Sequence, residues 1–222
     1  MFAVHPDEAR KMIALTYGMI SMVDDAVGHI LQTLEVTGLA DNTIIIFTSD
    51  HGDLMGDHGL MLKGPIHYQG LIRVPFIWHD PRTPSTSART QSLSSSVDIA
   101  PTVLAAAGIA PIPGMQGINA RTLPHEASPT RDVLLIEEES QRAFLGFSEP
   151  IRARTLVTDR YRMTLYRGAE WGELYDLAAD PHEEHNLWAC HRHAGVRTDL
   201  MTALAHKLME TVSETPRPTQ LA

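Results

Sequence analysis

At 222 residues with 43% hydrophobic and 20% charged content, the chain is long enough for a real core and has the balance of a globular protein. A net charge of -9 with no basic stripe argues against a nucleic-acid partner, so any anionic substrate needs positive charge gathered locally. No apolar run approaches a membrane span, and the one cysteine, Cys190, excludes an intrachain disulfide.

The opening residues, MFAVHPDEARKM, lack the continuous apolar core of a signal peptide. A complete chain would then be cytoplasmic, whereas a piece of a longer one leaves a periplasmic or secreted location open. From about Asp7 to Leu34 the pattern is helical. Ile13, Tyr17, Ile20, Val27, Leu31 and Leu34 recur three and four residues apart and mark an apolar face. Asp24 falls within that stripe beside Asp25. It is read as a hydrogen-bonded helix acid in preference to a metal ligand. Gly38 ends the helix, and Asp41-Asn42 supply a turn.

The stretch Thr43-Ile44-Ile45-Ile46-Phe47-Thr48 is β-branched and apolar without alternation. That pattern predicts a strand buried on both faces of a parallel sheet. It stops at Ser49-Asp50-His51-Gly52, and open α/β sheets place their chemistry just outside strand ends of this kind. A carboxylate and an imidazole there can share one divalent cation, while the glycine lets the backbone turn. The Gly52–Gly64 loop adds Asp53, Asp57, His58 and Lys63. It lacks the alternating acids of an EF-hand, and the chain has no H-E-x-x-H zinc motif.

Taken together, T-S-D-H-G, G-D-H-G-L, Lys63-Gly64 and Arg73-Val74-Pro75 resemble the second half of a sulfatase, within the alkaline phosphatase superfamily. Carried over by position, the resemblance makes Asp50 and His51 the metal ligands and Lys63 the cation that holds the sulfate oxygens. Lysine, a compact point charge, suits that catalytic and substrate-binding role. His58 either contacts substrate or braces the loop. Oxygen-rich ligation favours Ca2+, and the imidazole leaves Mn2+, Mg2+ and Zn2+ open.

Further along, Arg73–Trp78 reads as a short strand with Pro75 near its start, and the Ser/Thr/Arg-rich Thr83–Ser96 as a surface connection. Asp98 is placed as N-cap of a helix over Ile99–Ala107, stopped by Gly108. Its phrase S-V-D-I-A-P-T-V-L-A-A-A-G is again sulfatase-like and serves as scaffold. A proline-rich loop runs from Ile109 to Ser128. Strands are expected at Arg131–Glu137, within Arg154–Tyr166 and at Glu173–Leu177, followed by an amphipathic helix over Leu200–Val212 and a frayed polar end. The phrase E-L-Y-D-L-A-A-D-P-H-E-E-H-N-L resembles the closing hairpin of the sulfatase C-terminal subdomain. His182, His185, Cys190, His191 and His193 fit no zinc spacing and read as surface polar residues.

The resemblance spans about Tyr17 to Leu187 and implies an α/β fold. Residues 1–128 would form the C-terminal part of a mostly parallel, helix-flanked catalytic domain, and residues 129–222 a small antiparallel subdomain. It also implies metal-dependent hydrolysis of a small-molecule or glycan sulfate ester. In that family the nucleophile is a formylglycine made within C/S-x-P-x-R, in the N-terminal half together with a further acidic metal-binding pair. Ser148-Glu149-Pro150-Ile151-Arg152 fits that pattern on paper, yet it follows the metal strand instead of preceding it, and is read as a decoy. The expectation is therefore a C-terminal portion, inactive alone. The alternatives are a phosphonate or phosphate monoester hydrolase on the same scaffold, and an inactive remnant or metal-binding partner module.

Overall fold

The computed structural model describes residues 1–83, 89–123, 131–144 and 146–211. The expected frayed end, the middle of the 83–96 connection and the close of the proline-rich loop lie outside them. The chain divides into two compact units, Met1–Ser87 and Ala88–Ala222.

The first unit opens with β1 (Phe2–Ala3) and then α1 (Pro6–Val36), slightly longer than its periodicity predicts. Pro6 sits in the first turn, where its missing N–H costs nothing, and His5 and Glu8 close a reciprocal capping box. At the far end Gly38 is left-handed, the Gly38 N–H donates to the Glu35 carbonyl and the Leu39 N–H to the Leu34 carbonyl. That is the Schellman arrangement glycine favours. Of the expected apolar stripe, Ile13, Val27 and Leu34 are half-buried, whereas Tyr17, Ile20 and Leu31 are exposed, and Ala9 is the buried residue of the helix. Asp24 and Asp25 are exposed as well.

Next, β2 (Ile45–Thr48) pairs antiparallel with β4 (Phe76–His79), with Ile46 opposite Trp78 and Phe47 opposite Ile77. The expected parallel, doubly buried strand is corrected here. Every pairing among the described residues is antiparallel, and β2 is half-buried at its start and exposed at its end. A β-branched run reports which residues tolerate burial, but not which way a neighbouring strand runs.

Between these strands the loop folds on a small core of its own. Leu54, Ile66 and Leu71 are buried together, with Met1, Leu60 and Tyr68 packed around them. β1 pairs with β3 (Leu60–Met61), and the Val4 N–H donates to the Gly59 carbonyl, so the N-terminal residues clamp the loop. Each fully buried side chain of this size stabilises by about 1.5–3 kcal/mol, enough to hold a segment with little regular structure. α2 (Gln69–Ile72) closes the far side.

In the second unit, α3 (Ile99–Ala106) follows Asp98, which stands at the expected N-cap but does not use its carboxylate to cap α3. That carboxylate accepts instead from the N–H groups of Ser95 and Ile118 and, through both oxygens at 2.8 Å, from Arg131. Four strands follow in the antiparallel order β5 (Leu134–Glu139), β6 (Arg152–Val157), β7 (Tyr161–Tyr166), β8 (Gly172–Asp176). α4 (Ala194–Glu210) buries Leu200 and Leu204 against Leu156, Met163 and Leu174 of that sheet. Beneath it Arg162, fully buried, donates to Glu173, Glu183 and Thr164 and stacks over Tyr175. Pairing two acids with one arginine compensates its charge away from water.

Candidate functional site

The end of β2 delivers Ser49, Asp50 and His51 to the loop as a tightly bonded tripeptide. The Asp50 carboxylate accepts from the His51 N–H at 3.0 Å and the Ser49 hydroxyl at 3.3 Å. The His51 N–H is the main cause that holds the Asp50 carboxyl below the ordinary carboxylate value, so this exposed group is an anion ready to bind a cation.

His51 has its tautomer set by two neighbours. Its Nδ1 lies 2.7 Å from the Gly52 carbonyl oxygen, which can only accept, so Nδ1 carries the hydrogen. Its Nε2 lies 2.7 Å from Lys63 Nζ, which can only donate, so Nε2 carries the lone pair. Both contacts therefore require the same form. A backbone carbonyl behind Nδ1 is the usual support for a metal-ligating histidine. Nε2 also stands 3.4 Å from Asp50 Oδ2. An oxygen and a nitrogen each about 2.0–2.5 Å from one cation lie at about that separation, so this donor pair fits a divalent ion.

Gly52 seats the tripeptide. Its N–H donates to the Leu71 carbonyl at 2.7 Å, and a Cβ there would stand 2.0 Å from the Gly70 carbonyl oxygen. Only glycine permits that approach. The loop then winds through left-handed residues Met55, Gly56, His58, Gly59 and Leu62, and the turn at Leu62 precedes the Lys63 side chain that reaches back to His51. Non-glycine residues of that conformation are uncommon and gather at functional sites.

His58 is exposed and lies flat on Tyr68, with ring centroids 3.6 Å apart and planes 17° from parallel. Asp50, His51 and Lys63 thus converge, while His58 is held on a platform of its own. Sequence reasoning missed Tyr68 and Gly70. The signal available was Tyr68-Gln69-Gly70 itself, an aromatic and a glycine shortly after Lys63.

Residues 2–109 match the family model Sulfatase, and residues 56–210 match the model N-sulphoglucosamine sulphohydrolase, C-terminal. The chain belongs to the sulfatase family. It is 34% identical over 193 residues to the uncharacterized sulfatase YidJ of Escherichia coli, a match covering 86% of this chain and 37% of the relative. It is also 34% identical over 184 residues to an arylsulfatase of Clostridium perfringens, covering 80% and 36%. Among solved structures, the phosphonate monoester hydrolase of Agrobacterium radiobacter superposes with a TM-score of 0.81 at 29% identity, covering 93% of this chain and 43% of that one. A structure in complex with its substrate D-glucosamine-2-N,6-O-disulfate superposes at 0.77 with 26% identity, covering 90% and 41%. The chain spans a little over a third of the length of the curated relatives it matches.

Elsewhere in this sulfatase-family chain the late histidine cluster separates into two groups. Cys190 Sγ lies 3.3 Å from His193 Nδ1. Asp180, Glu184 and His185 bring ligand atoms within 4.8 Å of one another, but the Asp180 carboxylate already accepts the N–H groups of Glu184 and His185. Ser148 is exposed ahead of β6, and Arg152, the last residue of its S-x-P-x-R pattern, pairs with Glu139 at 2.9 Å.

Proposed function

We propose that this chain supplies the metal- and sulfate-binding side of a sulfate-ester hydrolase site. Asp50 and His51 would hold a divalent cation, Ca2+ before Mn2+, Mg2+ or Zn2+, and Lys63 would neutralise the oxygens of the ester. The observation that carries this reading is the convergence of Asp50 Oδ2 and Lys63 Nζ on His51 Nε2, at 3.4 and 2.7 Å, with Nδ1 bonded behind. When bound, the cation supplies Lewis-acid polarisation of the sulfate oxygens.

The protein's own residues do the rest. Asp50 stays anionic through the His51 N–H, and the Gly52 carbonyl keeps the His51 lone pair on Nε2. Lys63 presents a point charge where negative charge develops on the ester. His58, stacked on Tyr68, lines the substrate side of the loop in this reading. The substrate is a small-molecule or glycan sulfate ester, a reading supported by the disulfated glucosamine in one similar structure. The nucleophile is not among these residues, because formylglycine needs C/S-x-P-x-R ahead of the metal strand. The chain alone is therefore expected to show no turnover.

Titration calorimetry with Ca2+ and Mn2+ tests the ligands directly. The chain should bind one ion, and Asp50→Ala should lose it; unchanged binding by that variant sinks the assignment. The similarity to a phosphonate monoester hydrolase favours a second reading, since phosphonate and sulfate esters are both tetrahedral oxyanions. Rates on an aryl sulfate against a phosphonate monoester, measured on a complete site carrying these residues, separate the two.

A further inference from the structure

The turn after β8 gathers side chains that the proposed ester site does not use. Asp180, Glu184 and His185 bring one ligand atom each within 4.8 Å of one another, and His185 Nδ1 stands 3.7 Å from Asp180 Oδ2. His182 is close enough for its charge to act on the Asp180 carboxylate, which puts a second imidazole beside the set. Mixed nitrogen and oxygen donors of this kind suit a divalent transition ion, whereas calcium asks for oxygen.

The turn is held at both ends and from beneath. The Asp180 N–H donates to the Asp176 carbonyl at 2.7 Å, and the Leu187 N–H to the Leu174 carbonyl at 2.8 Å. Asn186 accepts from the Leu174 N–H and donates to the Gly172 carbonyl. Between them Glu183 is left-handed, with φ of 57°, and its buried carboxylate pairs with Arg162. With Glu183 anchored inside, Glu184 and His185 are left exposed beside it. Asp180 is the fixed point of the group, its side chain only 17% exposed. Its oxygens accept from the Glu184 and His185 N–H groups at 3.1 and 2.8 Å, which leaves a lone pair on each. Burial pushes this carboxyl up, but those N–H groups and the imidazoles of His185 and His182 outweigh it and hold it below its ordinary value.

We propose that this turn is a metal site separate from Asp50 and His51, taking a late divalent transition ion, Zn2+ first, on Asp180, Glu184 and His185. Zinc holds nitrogen and oxygen ligands at about 2.0–2.2 Å, so neighbouring ligand atoms of a tetrahedral site lie about 3.4 Å apart. A small rotation of the exposed His185 ring closes the 3.7 Å gap to Asp180, and the exposed Glu184 swings in likewise. Three protein ligands and a water complete four-coordination. Histidine and cysteine spacing gave no hint of the site because it passes over Asp180 and Glu184. Mn2+ stands well below Zn2+ in the affinity order of divalent ions, so this site is separable from the Asp50–His51 pair by ion as well as by residue. The proposal does not rest on the ester-hydrolase reading.

The test titrates Zn2+ into the metal-free 222-residue chain carrying Asp50→Ala and His51→Ala, which removes the other candidate ligands. One ion should bind, and the melting temperature should rise with it. His185→Ala and Glu184→Gln in that background should each weaken binding by at least the about 10–100-fold that loss of an outer-shell partner costs. Both side chains are exposed, so the melting temperature without Zn2+ should stay where it was. His193→Ala, at the neighbouring Cys190 contact, should leave Zn2+ affinity unchanged. A double variant that binds no Zn2+ would overturn the proposal. So would binding as tight in His185→Ala as in its background. Binding lost in His193→Ala and kept in His185→Ala would do the same, since it would put the ion on Cys190.

Discussion

The ammonium of Lys63 donates to His51 Nε2 at 2.7 Å, the nitrogen that also stands 3.4 Å from Asp50 Oδ2. One lone pair serves one partner, so a cation on His51 and the Lys63 hydrogen bond exclude each other. In the proposed site, Lys63 would be free to turn to the substrate's oxygens with an ion held by Asp50 and His51. Replacing Lys63 by Met removes both the competitor and a neighbouring positive charge. Affinity of the chain for Mn2+ should then rise, by about tenfold, within the usual range of coupling between sites. Sulfate binding measured with the ion present should be lost. Calorimetry reads both, and unchanged Mn2+ affinity would show that Lys63 and the ion do not compete.

Gly52→Ala tests how the site is seated. The new Cβ would lie 2.0 Å from the Gly70 carbonyl oxygen, and backbone on both sides leaves little room to give. Overpacking of this kind typically costs 1–3 kcal/mol. The prediction is a loss of about that size in urea unfolding, together with weakened metal binding as His51 is displaced. Gly18→Ala is the control, because nothing lies within 4 Å of a Cβ there. That variant should be at least as stable as the parent, since alanine favours the helix.

How much of this was legible beforehand differs by residue. α1 was readable from its three-and-four spacing and from Gly38, because local bonds make a helix and its stop. What covers the helix was not readable, since periodicity marks a face without naming its neighbour. Asp98 shows the same boundary. Its place before α3 follows from local signals, but its carboxylate is bound by Ile118 and Arg131, 20 and 33 residues away. Asp50 and His51 stood out because an acid and an imidazole end an apolar run. Lys63 entered through family resemblance, and its contact with His51 spans 12 residues that turn through left-handed positions. The Tyr68 stack on His58 depends on that turn too, so no spacing rule would have found it.

Acid should unfold the second unit through Asp98. Burial pushes this carboxyl up, but the Arg131 pair and the N–H groups of Ile118 and Ser95 outweigh it and hold it below its ordinary value of 3.8. With the folded value the lower one, the unfolded state binds the proton more readily. Stability from this group is therefore complete above the unfolded value, about pH 4, and is lost as pH falls through the folded one. Asp176, held down chiefly by Arg160, acts in the same direction. Asp98→Asn leaves Arg131 buried without its anion and should cost about 3–5 kcal/mol at neutral pH. It should also flatten the acid limb of a stability–pH curve, and an unchanged limb would rule Asp98 out as the cause.

Cys190 should behave as an acidic thiol. It is half-buried, and the hydrogen bond from His193 is the largest influence drawing it from 9.0 down to about 7, with the Arg192 N–H next. Lowering favours the thiolate, so reactivity appears on the alkaline side of that value and fades below it. Alkylation by iodoacetamide should therefore rise with pH about a midpoint near 7. In His193→Ala the midpoint should move upward toward the ordinary thiol range, with the final rate at high pH little changed. Mass spectrometry of the labelled peptide across a pH series measures both quantities. A midpoint that ignores His193 would mean that the 3.3 Å contact does not govern the thiol.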